Sequence, residues 1–408
     1  MATLGRGKRA DAAPLEGAMP MPWALLVASC LAMFAVTASG SSRAPFLLDM
    51  ARDLDVGLAM VANLFGLTSI AWGVTSFIAG VGSDRWGRRP FLVGAPVALA
   101  LALAIVAQSD GYFAVAAWAT VAGGCSGLYT GVSLAEVASR VVDRQRARAL
   151  GWVMAGQSLT LLIGVPVAAF LGAYIGWRGV HLCVGALALA SALGMFATTR
   201  PAAHLADRLG GVALKPPPLR SAFSPLVLKL LSSVIAERIC FGLAAVYYAT
   251  FLITSYDLGL DVLALPLFVF ALGNILGTVL GGQIGDRVDN RLLAFSVALV
   301  LSGAVALGLF GWPASLLHSV VLGFVYAFFN ALSRPSLMAA LAEVPADVRG
   351  TVMGLNSTAA SVGWLSAAAL GGWMLATIGF VGFGPLIAVL ALLGAAFTYI
   401  GPRIVRDR

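Results

Sequence analysis

The chain has 408 residues; 60% are hydrophobic and 11% are charged, against roughly 25% charged in a soluble domain. That excludes a soluble globular protein of this size, which would need a far more polar skin. The net charge of +8 does not mark a nucleic-acid binder, because the cations sit in short loops between long apolar runs and form no basic face or tail.

Residues 1–22 form a polar, basic tail (Arg6, Lys8, Arg9), and the apolar run after it is too long for a signal peptide. A helix that crosses about 30 Å of hydrocarbon at about 1.5 Å per residue needs roughly 20 apolar residues. The runs predict spans at 23–47, 59–82, 91–108, 112–137, 149–175 and 179–198. A polar linker follows at 199–223, with Pro216, Pro217 and Pro218 in a row. The second set is 225–254, 262–284, 292–311, 314–341, 351–377 and 380–400, and a basic tail closes the chain at 401–408. With both termini in the cytoplasm, the cytoplasmic segments hold twenty Lys and Arg, and the opposite loops hold only Arg52 and Arg178. This is the positive-inside bias.

The sequence also repeats. GVGSDRWGRR begins at Gly80, after the second span, and GQIGDRVDNR begins at Gly282, after the eighth, an offset of 202. Arg146 of RARALG and Arg349 of RGTVMG follow the fourth and tenth spans, 203 residues apart. Two anchors that agree this closely predict two homologous halves, 23–198 and 224–400, with a site between them. The fold class expected is an all-α integral membrane protein: twelve transmembrane helices in two pseudo-symmetric six-helix halves.

The loop Gly80-Val-Gly-Ser-Asp84-Arg85-Trp-Gly87-Arg88-Arg89 resembles the signature loop of the major facilitator superfamily, and Gly282, Asp286, Arg287 and Arg291 resemble its second copy. Gly156, Gly164-Val-Pro166 and Gly172 look like the span-five motif of the family's exporters, and Gly176-Trp177-Arg178 and Pro45 with Asp53-Leu54 also match. The likeness runs from about 23 to 400, closest to twelve-helix drug/proton antiporters and sugar-efflux-like permeases. It implies a major facilitator fold and a gate made of Gly80, Asp84, Arg85, Gly87, Arg88, Gly282, Asp286 and Arg287. In that gate Asp84 would meet the start of span eleven near Gly350 and Thr351, where the helix dipole favours a carboxylate. The chain departs from the branch twice: span four, WATVAGGCSGLYTGVSLAEV, has no arginine, and span one has no acid before Asp49.

Asp84 and Arg88 are four residues apart, so on a helical turn they would face each other. Charges inside spans are costly, at least about 2.5–3.5 kcal/mol at the bilayer centre on insertion scales, and usually face a cavity or a partner. Glu237 and Arg238 lie about midway down span seven, pointing about 100° apart, and Arg334 lies inside span ten. Glu237 is the candidate proton carrier or cation site. Arg238 and Arg334 would bind an anionic or polar substrate group. A structural ion pair such as Glu237–Arg334 is the other reading. Asn330, Tyr247, Tyr129, Gln157, Asn274 and Trp364 are candidate cavity-lining residues. Glu136 suits an interfacial structural role, and Arg43 can snorkel to the headgroups.

Cys30, Cys125, Cys183 and Cys240 read as packing residues, and His181, His204 and His318 are scattered, so no metal and no cofactor is expected. The chain lacks H-E-x-x-H, G-x-S-x-G and G-x-x-x-x-G-K-[ST], which argues against an enzyme or a nucleotide-driven pump. The expectation is a monomeric secondary transporter of the cell membrane. It would move small, anionic or amphiphilic molecules, with protons and the lipid bilayer as its other partners and no nucleic acid. Proton-coupled efflux by alternating access is the leading reading; uptake or exchange of an organic anion or nutrient is the alternative.

Overall fold

The computed structural model describes residues 21–141, 143–199, 224–288, 290–342 and 349–399. The linker and both tails expected from the sequence lie almost wholly outside these residues. The described chain is helical: α1 Trp23–Ser41, α2 Leu47–Asp53, α3 Leu58–Trp86, α4 Arg89–Gln108, α5 Tyr112–Ser139, α6 Asp143–Leu159, α7 Val165–Thr198, α8 Pro225–Tyr256, α9 Ala264–Arg287, α10 Arg291–Gly311, α11 Leu316–Ala342, α12 Arg349–Thr377 and α13 Phe383–Tyr399. Among the described residues, nine stretches are long and apolar enough to cross a membrane. One of them, Arg148–Thr198, is 51 residues long and breaks at Gly176 (φ 66°, ψ 174°), so it supplies two rods. Only glycine adopts that conformation readily. The helices α5 and α8, with 28 and 32 residues, are also long enough to span.

Buried hydroxyls are bonded back to their own helices, which lipid demands: Ser39 Oγ donates to the Val36 carbonyl at 2.8 Å and Ser42 Oγ to the Ala38 carbonyl at 2.6 Å. Ends are set by local chemistry. Ser224 accepts the Val227 N–H before Pro225 starts α8, and Asn290 accepts the Leu293 N–H at the head of α10. A π-turn at Thr160–Gly164 joins α6 to α7 just before Pro166, which has no N–H to continue the ladder.

Helix pairing repeats between the halves. In the first, α3 packs on α5, α4 on α7 and α5, and α1 on α5, α6 and α7; in the second, α9 packs on α11, α10 on α13 and α11, and α8 on α11, α12 and α13. These are the same pairs by span order, so the halves are pseudo-symmetric. Without a hydrophobic drive in lipid, close packing of small residues holds such pairs. On α9, side chains at Gly273, Gly277 or Gly281 would strike the backbone carbonyls of Phe324, Phe328 and Leu332 on α11. The exporter-like glycines do the same toward the first span: Gly156 faces the Cys30 carbonyl, Gly164 the Phe34 ring and Gly172 the Phe46 ring.

The halves meet where α3 packs on α12, α9 on α7 and the π-turn, and the short turn Ala44–Phe46 on α8. Along α3 and α12, Ala59 nears Gly372, Gly66 nears Leu365 and Gly73 nears Ser361. Among the described residues, these close approaches run from the end remote from the RWGRR turn to the middle. That remote end is also tied within the first half: Asp53 accepts from Trp177 Nε1 at 2.8 Å and pairs with Arg178 at 2.7 Å, and Arg178 lies 4.4 Å over the Trp177 ring.

Candidate functional site

Glu237 of α8 is only 2% exposed. Its Oε1 accepts from Arg334 Nε of α11 at 2.7 Å, and its Oε2 lies 3.4 Å from Arg238 Nε. Glu237 and Arg238, neighbours in sequence expected to diverge, thus pair through the length of the arginine side chain. Arg334 also donates through Nη2 to Asn330 Oδ1 at 2.9 Å, one helical turn away, and its guanidinium lies 4.0 Å over the Phe241 ring. Phe241 meets Trp364 of α12 edge to face at 5.8 Å. The side chains of Arg334 and Arg238 keep 15% and 25% of their exposure. One buried carboxylate therefore holds two cations that are only partly enclosed. With Glu237 ionised, the trio carries one net positive charge. Asn330 Nδ2 and Asn274 Nδ2 are buried without a partner, so the unmet groups of these two asparagines are donors.

The structure gathers Glu237, Arg238, Arg334, Asn330 and Trp364 around Phe241. Phe241 had no signal of its own in the sequence beyond lying one turn from Glu237. The tyrosines sit elsewhere. Tyr129 is fully buried, with its hydroxyl 3.5 Å from the Ser29 carbonyl and accepting from Ser133, and Tyr247 donates to the Ala368 carbonyl at 2.8 Å. Both hydroxyls tie helices together. Gln157 is half-buried on α6. A separate apolar cavity of about 370 Å³ lies between α3 and α12, lined by Val74, Phe77, Val362 and Leu365 with the hydroxyls of Thr358 and Ser361.

At the other anchor, Gly87 (φ 79°, ψ 162°) caps the end of α3 and Arg88 immediately precedes α4. That turn removes Arg88 from the helical register of Asp84. Arg88 instead reaches α5, where it donates to Ser139 Oγ at 2.6 Å and the Ala135 carbonyl at 3.1 Å and pairs with Glu136 at 3.4 Å. Arg140 donates to Glu136 from the other side at 2.6 Å. The side chains of Asp84, Arg85 and Asp286, with Gly80 and the expected contact at Gly350 and Thr351, lie outside the described residues. Gly282 is half-buried and Arg287 is exposed at the end of α9. Arg43 does not snorkel: it is 2% exposed.

The model of the Major Facilitator Superfamily matches residues 29–266 and 230–407. A chloramphenicol resistance protein of Streptomyces lividans is 27% identical over 304 residues, covering 72% of each chain. The transcription regulatory protein OpdE of Pseudomonas aeruginosa is 28% identical, covering 72% of this chain and 73% of that one. A probable sugar efflux transporter of Helicobacter pylori is 27% identical, covering 65% and 67%. Among solved structures, a bacterial homolog of the human lysosomal transporter Spinster, inward-facing and unoccupied, superposes with a TM-score of 0.74 at 15% identity over 94% of this chain and 95% of that one. The all-helical, two-half architecture of the described residues and the family-model match lead to one assignment: this chain belongs to the Major Facilitator Superfamily, a family of multi-pass membrane transporters.

Proposed function

We propose that the chain exports small amphiphilic molecules across the cell membrane in exchange for protons, by alternating access, with both termini in the cytoplasm. The observation that carries this is the buried carboxylate of Glu237 between two arginines on facing helices. Its counterparts in the first half, 202 residues earlier for Glu237 and Arg334, are Ala35 and Val132, both buried and apolar. The charged machinery thus belongs to one half, which can reload it as the halves rock. A proton on Glu237 releases Arg334; a substrate donor group competes with that proton for the same carboxylate, so the two exchange. Packing of α3 on α12 at the end remote from the RWGRR turn supports a state closed on the outside. Efflux is the direction printed in the name of one relative, a probable sugar efflux transporter, and another is named for resistance to chloramphenicol.

The net positive charge of the trio favours a second reading, in which protonated Glu237 frees both arginines for an organic anion that travels with the proton. Vesicles with an imposed pH gradient separate the two, using chloramphenicol, sugars and aromatic acids as the first panel. Exchange predicts that an inward proton gradient drives the substrate outward; co-transport predicts the opposite sign. Glu237→Gln should abolish the gradient dependence. Gradient-driven flux at wild-type rate in that variant removes Glu237 from coupling.

A further inference from the structure

Arg43 follows the last turn of α1 and is 2% exposed, yet no carboxylate among the described residues lies within ion-pair distance of it. Its hydrogen bond runs from Nη2 to Thr68 Oγ1 of α3 at 3.3 Å. Thr68 donates its own proton to the Leu64 carbonyl at 2.8 Å, so it serves Arg43 only as an acceptor. The Phe65 ring lies 5.4 Å from the guanidinium carbon. Nε and Nη1 are buried and without a partner.

A guanidinium presents five N–H groups in one plane, arranged as two forks that share Nη2. Thr68 takes one Nη2 hydrogen. Whichever it takes, the other fork keeps both of its N–H groups unpaired. A buried cation with unmet donors and no counter-charge is a costly arrangement. A planar anion with two acceptor oxygens removes both penalties at once, and that shape is a carboxylate.

We propose that Arg43 is a carboxylate-binding site of the first half, separate from the Glu237 trio, which takes a small carboxylate in a two-pronged grip backed by Thr68. It does not depend on the direction of transport or on proton coupling.

The test uses the full-length protein purified in detergent, with its melting followed in sodium formate, acetate or chloride at matched ionic strength and pH. Formate and acetate should raise the wild-type midpoint saturably. Arg43→Gln should lose the rise. Arg43→Lys, which keeps the charge and loses the fork, should need about tenfold more carboxylate. Arg140→Gln, which lies in neither site, should respond like wild type and controls for a general loss of positive charge. No response in the wild type overturns the proposal whether or not the variants fold. A rise that survives Arg43→Gln places the anion elsewhere and also overturns it. An equal rise with chloride refutes the carboxylate assignment.

Discussion

Replacing Glu237 with leucine removes the carboxylate that holds Arg334 at 2.7 Å and Arg238 at 3.4 Å. Breaking a buried pair by removing one partner costs about 3–5 kcal/mol, because the remaining charge stays desolvated. The lower end applies here. Arg334 keeps Asn330 at 2.9 Å and the Phe241 face at 4.0 Å, and the Arg238 side chain is 25% exposed. Glu237→Leu should therefore lose about 3 kcal/mol in equilibrium unfolding in detergent, followed by tryptophan fluorescence. The double variant Glu237→Leu/Arg334→Leu removes both charges and should recover to within about 1 kcal/mol of wild type, since an apolar pair replaces an ionic one at little cost. Transport by the stable double variant then separates the roles. A stable, inactive double variant assigns the pair to transport chemistry; a stable, active one reduces it to scaffolding. A loss below about 0.5 kcal/mol in Glu237→Leu would refute the reasoning, because that is the range of ordinary surface substitutions.

Gly277→Leu should destabilise the protein by about 1–3 kcal/mol or more, read from the melting midpoint, because its side chain has only the Phe328 backbone to meet. Gly176→Ala should cost about 1–3 kcal/mol in the same assay, since φ 66° with ψ 174° is a conformation that a Cβ disfavours. Asp53→Ala should cost under about 1 kcal/mol, with the difference shrinking in high salt, because both partners of the Asp53–Arg178 pair are partly exposed, at 43% and 32%.

The sequence was most legible where the physics is one-dimensional. Insertion into a bilayer is decided by the apolarity of about 20 consecutive residues, so the spans read from the chain overlie the helices closely: 112–137 became Tyr112–Ser139 and 292–311 became Arg291–Gly311. The loop repeat, the family likeness and the buried charges of α8 and α11 were readable for the same reason, because each is a local pattern or a residue type that lipid rejects. Only the tertiary structure decided which groups meet. Arg88 pairs with Glu136, 48 residues on, because Gly87 turns the chain out of the helix that carries Asp84. Tyr129 and Tyr247 are polar residues on apolar helices, and nothing in their neighbours shows that they bond across to Ser29 and Ala368. Arg43 looks from the sequence like an interfacial residue, but the packing of α3 buries it. A soluble helix shows its inner face by its polar outer one. In lipid both faces are apolar, so the azimuth of each side chain was set by the glycine seams and by the breaks at Gly87, Thr160–Gly164 and Gly176.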